Sequence, residues 1–406
     1  MDIHLALRRS ADGILSGEAV YENIAGEFDF ALDQNFAPRS GCPLEKAHTM
    51  PDVYLDKTNT LVYRKADIYR IAGEMPGSIR IAYELCEDFT SDIGFNRISE
   101  EIIALDALHI NFYPVPMARA TTEKIRGYQT FKTGEESVIE FGELTFSIEG
   151  FEPYRVINCD GGHIKRFCKM VPFKLLAVDE SKILKQEHGR VTAYYFNEKE
   201  SGKAAKIVEE ASRMIDWFSA ELFPGREAPE RMYFFSYDAK KLGGFNRSIT
   251  IELERFYSPA TRQGRYLLAH EIAHYWCMSE PPAVWNEQML AEGCADWSHL
   301  LYAQSGGRLR FAMDRLSLAG MYLVNSFVNK VYGIIHRTNA YNIHLRGYRL
   351  FRGIYRRHGR DVLDSCIRHF NRIEIKTMES FLNAVKADEA RDIYASIEKL
   401  ATKNFR

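Results

Sequence analysis

Two kinds of hydrophobic repeat divide this sequence near residue 185, and the division constrains the fold more than any other feature. Before it, apolar and polar residues alternate in short segments such as SIRIAYELC (78–86) and SVIEFGELTFSIEGF (137–151), bounded by Gly, Asp, Asn or Pro. Alternation with period two is typical of half-buried strands. After the division, apolar residues recur at spacings of three and four, which is typical of amphipathic helices. The sequence therefore predicts an α+β fold, with a β-sheet domain over 1–185 and a mostly helical domain over 186–406.

The second domain is expected to contain a small sheet as well as helices. Two strands are predicted in RMYFFSYDA and SITIEL, separated by the glycine-containing segment KKLGGFNR. Periodicity does not decide between helix and strand for ISEEIIALDALHI in the first domain. The predicted helices cover 201–223, 266–278, 287–304, 308–329 and 346–358, with shorter helical pieces from residue 361 to the end.

Composition excludes several classes of function. The net charge of −2 gives no electrostatic basis for binding nucleic acid or an anionic membrane, and no apolar run approaches the ~18 residues of a spanning helix. The first residues lack the basic and apolar regions of a secretory signal. The seven cysteines are scattered without a C-x-x-C pair, which is typical of reduced thiols in a cytoplasmic protein. Cys277 and Cys294 are therefore interpreted as buried fillers and not as metal ligands.

The segment HEIAH contains two histidines four residues apart. On a helix this spacing puts His270 and His274 on one face, where both can bind one metal ion. Glu271 lies about 100° round the helix from His270, at the edge of that face. A zinc ion bound there would lower the pKa of a water molecule, and Glu271 would accept its proton as the general base.

A catalytic zinc site needs a third protein ligand and an open position. Glu292 supplies the ligand if the loop after HEIAH turns the chain and the next predicted helix packs back on the first. Glu287 is a weaker alternative because it falls in the opening turn of that helix. Asp296 follows Glu292 by four residues on the same face, where its carboxylate can accept the outer ring N–H of a ligand histidine. The sequence therefore predicts one zinc ion per chain.

HEIAH followed by MLAEGCADW resembles the zinc peptidases of the aminopeptidase N and leukotriene A4 hydrolase family. The segments VINCDGG and MVPFKLLAV resemble the closing strands of that family's N-terminal domain. The segment AYNIHLRGYRLFRGIYRRHGRDVL resembles its Tyr-x-Lys-Gly stretch and the helix that follows. The resemblance covers roughly residues 1–370. It implies a saddle-like antiparallel β-sheet domain, a thermolysin-like catalytic domain, and hydrolysis of a peptide or peptide-like small molecule.

The sequence departs from the family at the segment that holds the substrate's amino group. The family's Gly-x-Met-Glu-Asn appears here as GGFN, without the glutamate, so the matching substrate-binding residues are Gly243, Gly244 and Asn246. Recognition of a free N-terminus is therefore expected to be altered, unless Glu252 or Glu254 replaces the missing anchor. The family's C-terminal helical domain is also expected to be absent, which leaves a homo-oligomer as a candidate cover for the site.

A second departure concerns the family's catalytic tyrosine, whose position is taken here by His344, three residues before Gly347. An imidazole can donate to a developing oxyanion as a phenol can, so His344 is predicted to be catalytic. Tyr341 is the alternative donor, whereas Tyr348 is expected in the core. Seventeen residues separate His274 from Glu292, one fewer than in the family. A loop can absorb this difference.

Two other functions compete with a zinc peptidase. The first is a zinc hydrolase that acts on a non-peptide or modified small molecule, because the amine-binding glutamate is missing. The second is a non-catalytic binding protein that keeps zinc for structure. Glu271 argues against the second, because a closed structural site has no use for a base beside an open position.

Overall fold

The structure is a computed structural model of all 406 residues. It describes residues 2–10, 14–24, 29–40, 43–49, 53–55, 61–63, 66–71, 77–85, 97–106, 113–117, 120–125, 128–133, 144–157, 163–164, 174–237, 244–247, 249–253, 255–277, 288–332, 338–373 and 377–405.

The chain divides into two compact units, Met1–Ile183 and Leu184–Arg406. Within the described ranges, the first unit consists of strands and the second contains the helices. No helix among these residues is both long enough and apolar enough to cross a membrane.

The strands of the first unit are β1 (Asp2–Arg9), β2 (Leu15–Glu22), β3 (Asp29–Asp33), β4 (Phe36–Ser40), β5 (Leu44–Thr49), β6 (Val53–Leu55), β7 (Leu61–Tyr63), β8 (Ala66–Ile71), β9 (Ser78–Leu85), β10 (Arg97–Ile98), β11 (Ile102–Asp106), β12 (Val115–Met117), β13 (Ala120–Ile125), β14 (Tyr128–Thr133), β15 (Leu144–Glu149), β16 (Arg155–Val156), β17 (His163–Ile164) and β18 (Lys174–Val178). They form sheets in the orders β17-β15-β1-β2-β9-β4, β10-β11-β18-β16, β12-β3-β8-β5 and β13-β14-β6-β7. Most neighbours are antiparallel, as predicted, but β1 pairs with β15, and β14 with β6, in parallel.

The segment that periodicity left undecided, ISEEIIALDALHI, contains a strand, β11. Residues 102–105 are all buried, and β11 lies between β10 and β18 in its sheet. A strand covered on both faces shows a continuous apolar run in place of alternation, and a short buried helix shows the same run. Tertiary burial therefore decided what the local pattern could not.

The second unit contains the strands β19 (Leu184–His188), β20 (Val191–Tyr195), β21 (Met232–Ser236), β22 (Gly244–Arg247) and β23 (Thr250–Leu253). Its helices are α1 (Ser201–Trp217), α2 (Arg262–Cys277), α3 (Gln288–Ser305), α4 (Arg308–Tyr332), α5 (Thr338–Arg372), α6 (Met378–Asp388) and α7 (Arg391–Phe405), with a 3₁₀ turn at Glu198–Glu200 and a π turn at Phe218–Leu222. The five strands form one mixed sheet in the order β19-β20-β21-β23-β22. One hydrophobic core joins one face of this sheet to the helices, and Phe234, Met214, Ile272, Leu290 and Ile354 belong to it.

Two helices begin earlier than their patterns predict. Helix α2 starts at Arg262, because the Thr261 hydroxyl accepts a hydrogen bond from the Gly264 backbone N–H at 3.0 Å and caps the helix. Helix α5 starts at Thr338, eight residues before the predicted start. Its first residues include Thr, Asn and Tyr, which have weak helix propensity, so the sequence carried little signal there. The predicted break after residue 358 is present at Gly359, whose φ of 84° is non-helical.

Candidate metal centre

The two histidines of HEIAH lie deep inside the second unit. His270, Glu271 and His274 are 4%, 6% and 5% exposed, and the apolar residues around them on α2 belong to the core. Buried polar side chains destabilise a fold unless they are paired or bind an ion. The Nε2 atoms of His270 and His274 lie 3.0 Å apart. The two imidazoles therefore meet at one point, as helical spacing predicts.

Helix α3 brings Glu292 to the same point. Its Oε2 atom lies 3.2 Å from Nε2 of His270 and 3.3 Å from Nε2 of His274. Ligand atoms about 2.0–2.2 Å from a tetrahedral zinc ion are themselves about 3.3–3.6 Å apart. The three distances in this triangle, 3.0, 3.2 and 3.3 Å, are close to that separation.

The donor set and its electrostatics also fit a metal cation. Glu292 Oε2 is buried and has no hydrogen-bond partner within the described part of the chain. Burial raises the pKa of Glu292, but the imidazoles of His344 and His274 outweigh it and hold the pKa well below its usual range. Burial lowers the pKa of His270, yet the carboxylates of Asp296 and Glu292 raise it well above its usual value. The negative field that favours a proton on this imidazole also favours a metal ion.

Asp296 orients the first histidine. It is fully buried, and its Oδ1 atom lies 3.1 Å from Nδ1 of His270. A carboxylate in this place fixes the tautomer and points Nε2 towards Glu292. The hydroxyl of Tyr266 donates to Oδ1 at 2.9 Å, and the hydroxyl of Tyr322 donates to Oδ2 at 2.5 Å.

The sequence interpretation missed both tyrosines. Tyr266 precedes His270 by four residues on α2, a spacing that could have revealed it. Tyr322 lies on α4, and no local pattern linked it to the site. Burial and the charge of Asp296 raise the pKa of each tyrosine well above its usual value, so both hydroxyls stay protonated and act as donors.

Helices α3 and α5 cross at two glycines. A Cβ atom on Gly347 would lie 2.0 Å from the carbonyl oxygen of Met289 and 2.8 Å from Cα of Gly293. No L side chain fits at such a distance, so the crossing requires glycine. Trp297 Nε1 also donates to the carbonyl oxygen of Tyr348 at 3.2 Å, which fixes the two helices beside the crossing.

This crossing places His344 beside the third predicted ligand. His344 precedes Gly347 by one turn of α5, and Glu292 directly precedes Gly293. The Nδ1 atom of His344 lies 3.3 Å from Oε2 of Glu292. His344 lies within α5 and not before it, because the helix predicted to begin at residue 346 begins at Thr338. Tyr341, the alternative donor, lies in the same helix, but its side chain is outside the described residues.

Glu271 is buried beside the histidines. Burial raises the pKa of this carboxyl group, while the neighbouring His270 and His274 lower it, and the net direction is upward. A carboxylate with a raised pKa is a stronger base than an exposed one.

Several residues singled out in the sequence cannot be placed relative to this site. Gly243, Glu254 and Glu287 are outside the described residues. Gly244 and Asn246 lie on β22 opposite Leu253 and Ile251 of β23, and their side chains are not described.

Three further residues are enclosed within the fold. Glu252 of β23 is buried and accepts a hydrogen bond from the Tyr237 hydroxyl at 2.6 Å. Cys277 and Cys294 are buried free thiols that belong to the hydrophobic core, as expected.

His299 is buried beside Tyr266. It is 2% exposed, its ring packs edge-on against Tyr266 at 5.4 Å, and its Nε2 atom lies 3.6 Å from Asp314. Burial lowers its pKa to about 3, so the ring is neutral at physiological pH. His299 therefore supports the tyrosine that in turn holds Asp296.

Solved structures similar to this chain are zinc peptidases and related hydrolases. A two-domain M1 zinc metallopeptidase bound to L-tryptophan is 14% identical over 98% of this chain and 92% of that chain, with a TM-score of 0.53. Leukotriene A4 hydrolase from Saccharomyces cerevisiae is 12% identical over 99% of this chain and 66% of that chain, with a TM-score of 0.58. Aminopeptidase A from Legionella pneumophila, in complex with aspartic acid, is 15% identical over 98% of this chain and 49% of that chain, with a TM-score of 0.55.

By sequence, no protein-family model and no curated protein matches the chain. The similarity in structure shows that the chain has the fold of M1 zinc metallopeptidases and leukotriene A4 hydrolase. The predicted α+β fold class is confirmed.

Proposed function

We propose that this protein is a zinc-dependent peptide hydrolase that binds one zinc ion through His270, His274 and Glu292. The observation that carries the proposal is the triangle of two imidazole nitrogens and one carboxylate oxygen, with edges of 3.0–3.3 Å. Two histidines and one glutamate are a ligand set of catalytic zinc peptidases.

When bound, zinc supplies a Lewis acid that polarises the scissile carbonyl and lowers the pKa of a water molecule. Glu271 follows His270 on α2 and would accept the proton of that water. The raised pKa of its carboxyl group matches this task, because a base works best when its pKa approaches the working pH. Asp296 holds the imidazole of His270 in the orientation that the ligand role requires.

The developing charge on the carbonyl oxygen needs a donor from the protein. His344 and Tyr341 lie on the same helix, one turn apart, and either could supply it. His344 has its Nδ1 atom at the edge of the ligand triangle, 3.3 Å from Glu292. We therefore propose His344 as the donor, with Tyr341 as the alternative.

A peptide or peptide-like small molecule is the proposed substrate. Two of the similar structures were determined with single amino acids, L-tryptophan and aspartic acid, which is the chemistry of a peptide's hydrolysis product. The segment GGFN lacks a glutamate, so the electrostatic anchor for a free amino group is absent from it. Substrates with blocked N-termini should therefore be accepted.

A second candidate is hydrolysis of a non-peptide or modified small molecule. The same missing glutamate favours it, and one of the similar structures is a leukotriene A4 hydrolase. In this case the metal ligands and Glu271 keep the roles described above, and only the group that is attacked differs.

A peptide-library digest separates these candidates. The zinc-loaded protein is incubated with peptides bearing free or N-acetylated termini, and the products are identified by mass spectrometry, with Glu271→Gln as the matched control. We expect cleavage of both sets by the parent protein and none by the variant. Cleavage of free peptides alone would show that another carboxylate anchors the amine. No cleavage of any peptide would reject the peptide hydrolase and leave the small-molecule candidate.

A further inference from the structure

We infer that His344 is a fourth ligand of the metal, bound through Nδ1, and that it closes the open position of the site until a substrate displaces it. The inference rests on the proposed metal site of His270, His274 and Glu292. It adds a ligand from α5, a helix outside the two that carry the predicted triad.

The first argument is distance. Oε2 of Glu292 lies 3.2 Å from His270 Nε2, 3.3 Å from His274 Nε2 and 3.3 Å from His344 Nδ1. Each separation is close to the edge of a tetrahedron around a zinc ion, about 3.3–3.6 Å. The ligand atoms of His270, Glu292 and His344 also lie within 4.8 Å of one another.

The second argument is that the two facing atoms are buried without a hydrogen-bond partner in the described part of the chain. Nδ1 of His344 and Oε2 of Glu292 are both buried, and neither has a hydrogen-bond partner among the residues that the structure describes. A simple ion pair between these side chains would place a ring N–H on the carboxylate oxygen in hydrogen-bond geometry, and that geometry is not met. Unpaired buried polar atoms cost free energy, and a cation held between them removes that cost.

The third argument is that the backbone fixes His344 in this place. The glycine crossing brings α5 into contact with α3 one turn after His344, where the Cβ of any other residue at 347 would overlap the Met289 carbonyl oxygen. The ring of His344 also packs against two other rings, with its centroid 5.5 Å from that of His270 and 6.4 Å from that of Tyr322. His344 is therefore positioned as firmly as a ligand needs to be.

Exposure makes His344 the ligand that can leave. Its side chain is 29% exposed, against 5% for His270, 6% for His274 and 18% for Glu292. The other three side chains are more enclosed, so His344 is the ligand with the most room to leave the metal. Four protein ligands fill a tetrahedral site, so a substrate must move His344 before it can reach the metal.

The test counts imidazoles around zinc by X-ray absorption in the full-length protein and measures zinc affinity by chelator competition. His344→Gln is compared with His358→Gln, a histidine further along α5 that bonds to Ser396 and lies outside the site. We expect three imidazoles in the parent protein and in His358→Gln, and two in His344→Gln. Zinc affinity should fall at least about tenfold in His344→Gln alone.

A second variant separates loss of a ligand from loss of the fold. His344→Gly should lose the third imidazole, and free imidazole added to it should restore the count of three. Two imidazoles in the parent protein, or equal zinc affinity in His344→Gln and His358→Gln, would overturn the inference. These results would leave the proposed function intact provided that Glu292→Gln still loses zinc. Zinc retained at full stoichiometry in Glu292→Gln would reject the metal site itself.

Discussion

Oδ1 of Asp296 lies 3.1 Å from Nδ1 of His270, so this carboxylate orients the histidine. Asp296 lies one turn beyond Glu292, the third predicted ligand. Both carboxylates come from α3, and both reach the same imidazole on α2, one on each ring nitrogen. The hydroxyls of Tyr266 and Tyr322 hold Asp296 in turn. The orientation of His270 is therefore set by three helices.

Removing this support should weaken metal binding without removing a ligand. Asp296→Asn is expected to lower zinc affinity by about 10–100-fold, the usual effect of losing such a partner. Tyr322→Phe should act in the same direction and less strongly, because Tyr266 still donates to Asp296. Chelator competition is the measurement, and Tyr302→Phe, which loses a hydrogen bond to the half-buried Glu210 away from the metal site, is the control. Equal affinity in Asp296→Asn and the parent protein would show that Asp296 does not act on the metal.

The ligand assignment predicts one zinc ion per chain. Metal analysis of the purified protein should find it, and Glu292→Gln should weaken binding strongly, since it removes the anionic member of the triangle. The double substitution His270→Ala and His274→Ala should abolish binding. Stoichiometric zinc in that double variant would place the metal elsewhere.

Glu271→Gln should separate chemistry from metal binding. The amide keeps the size of the side chain but cannot accept a proton, so zinc content and fold should be unchanged. Turnover should fall by roughly 10²–10⁴-fold, the usual contribution of a general base. Steady-state kinetics on any substrate found in the digest provides the measurement. Activity within tenfold of the parent protein would mean that another group activates the water.

The donor to the carbonyl oxygen can be identified by two substitutions on α5. With zinc kept saturating, His344→Phe should lower kcat by about 10²–10³-fold, because the displaced imidazole donates to the oxyanion only as the reaction proceeds. Tyr341→Phe should leave kcat nearly unchanged. If Tyr341→Phe alone abolishes turnover, the tyrosine is the donor and the alignment of His344 with the family's catalytic position is wrong.

The glycine crossing should be sensitive to a single methyl group. Gly347→Ala would place Cβ 2.0 Å from the Met289 carbonyl oxygen, and relief of that overlap moves α5 away from α3. We expect a loss of about 1–3 kcal/mol in the free energy of unfolding, together with weaker zinc binding. Gly320→Ala on α4 is the control, because its added Cβ meets no heavy atom within 4 Å beyond the adjacent backbone of its own helix, and it should be neutral or stabilising. Equal unfolding midpoints in denaturant for the two variants would contradict the crossing.

The parts of the candidate site that lie on one helix could be predicted from the sequence. Residues four apart share a face on any α-helix, as His270 and His274 do, and likewise Glu292 and Asp296. Local geometry was therefore enough to predict each pair. The division into a strand-rich and a helix-rich part followed from the period of the apolar residues in the same way. These features depend on neighbours within a turn or two of the chain.

Only the tertiary structure decided how the helices meet. Nothing near Tyr322 in the sequence links it to Asp296, and nothing local shows that Gly293 and Gly347 touch. That contact between α3 and α5, fifty-four residues apart in the chain, brings His344 to Glu292. Close packing of distant segments depends on the shapes of both surfaces, which a single pattern of spacing does not contain. The sequence therefore determined which residues could bind a metal, and the packing of α5 on α3 determined that His344 lies among them.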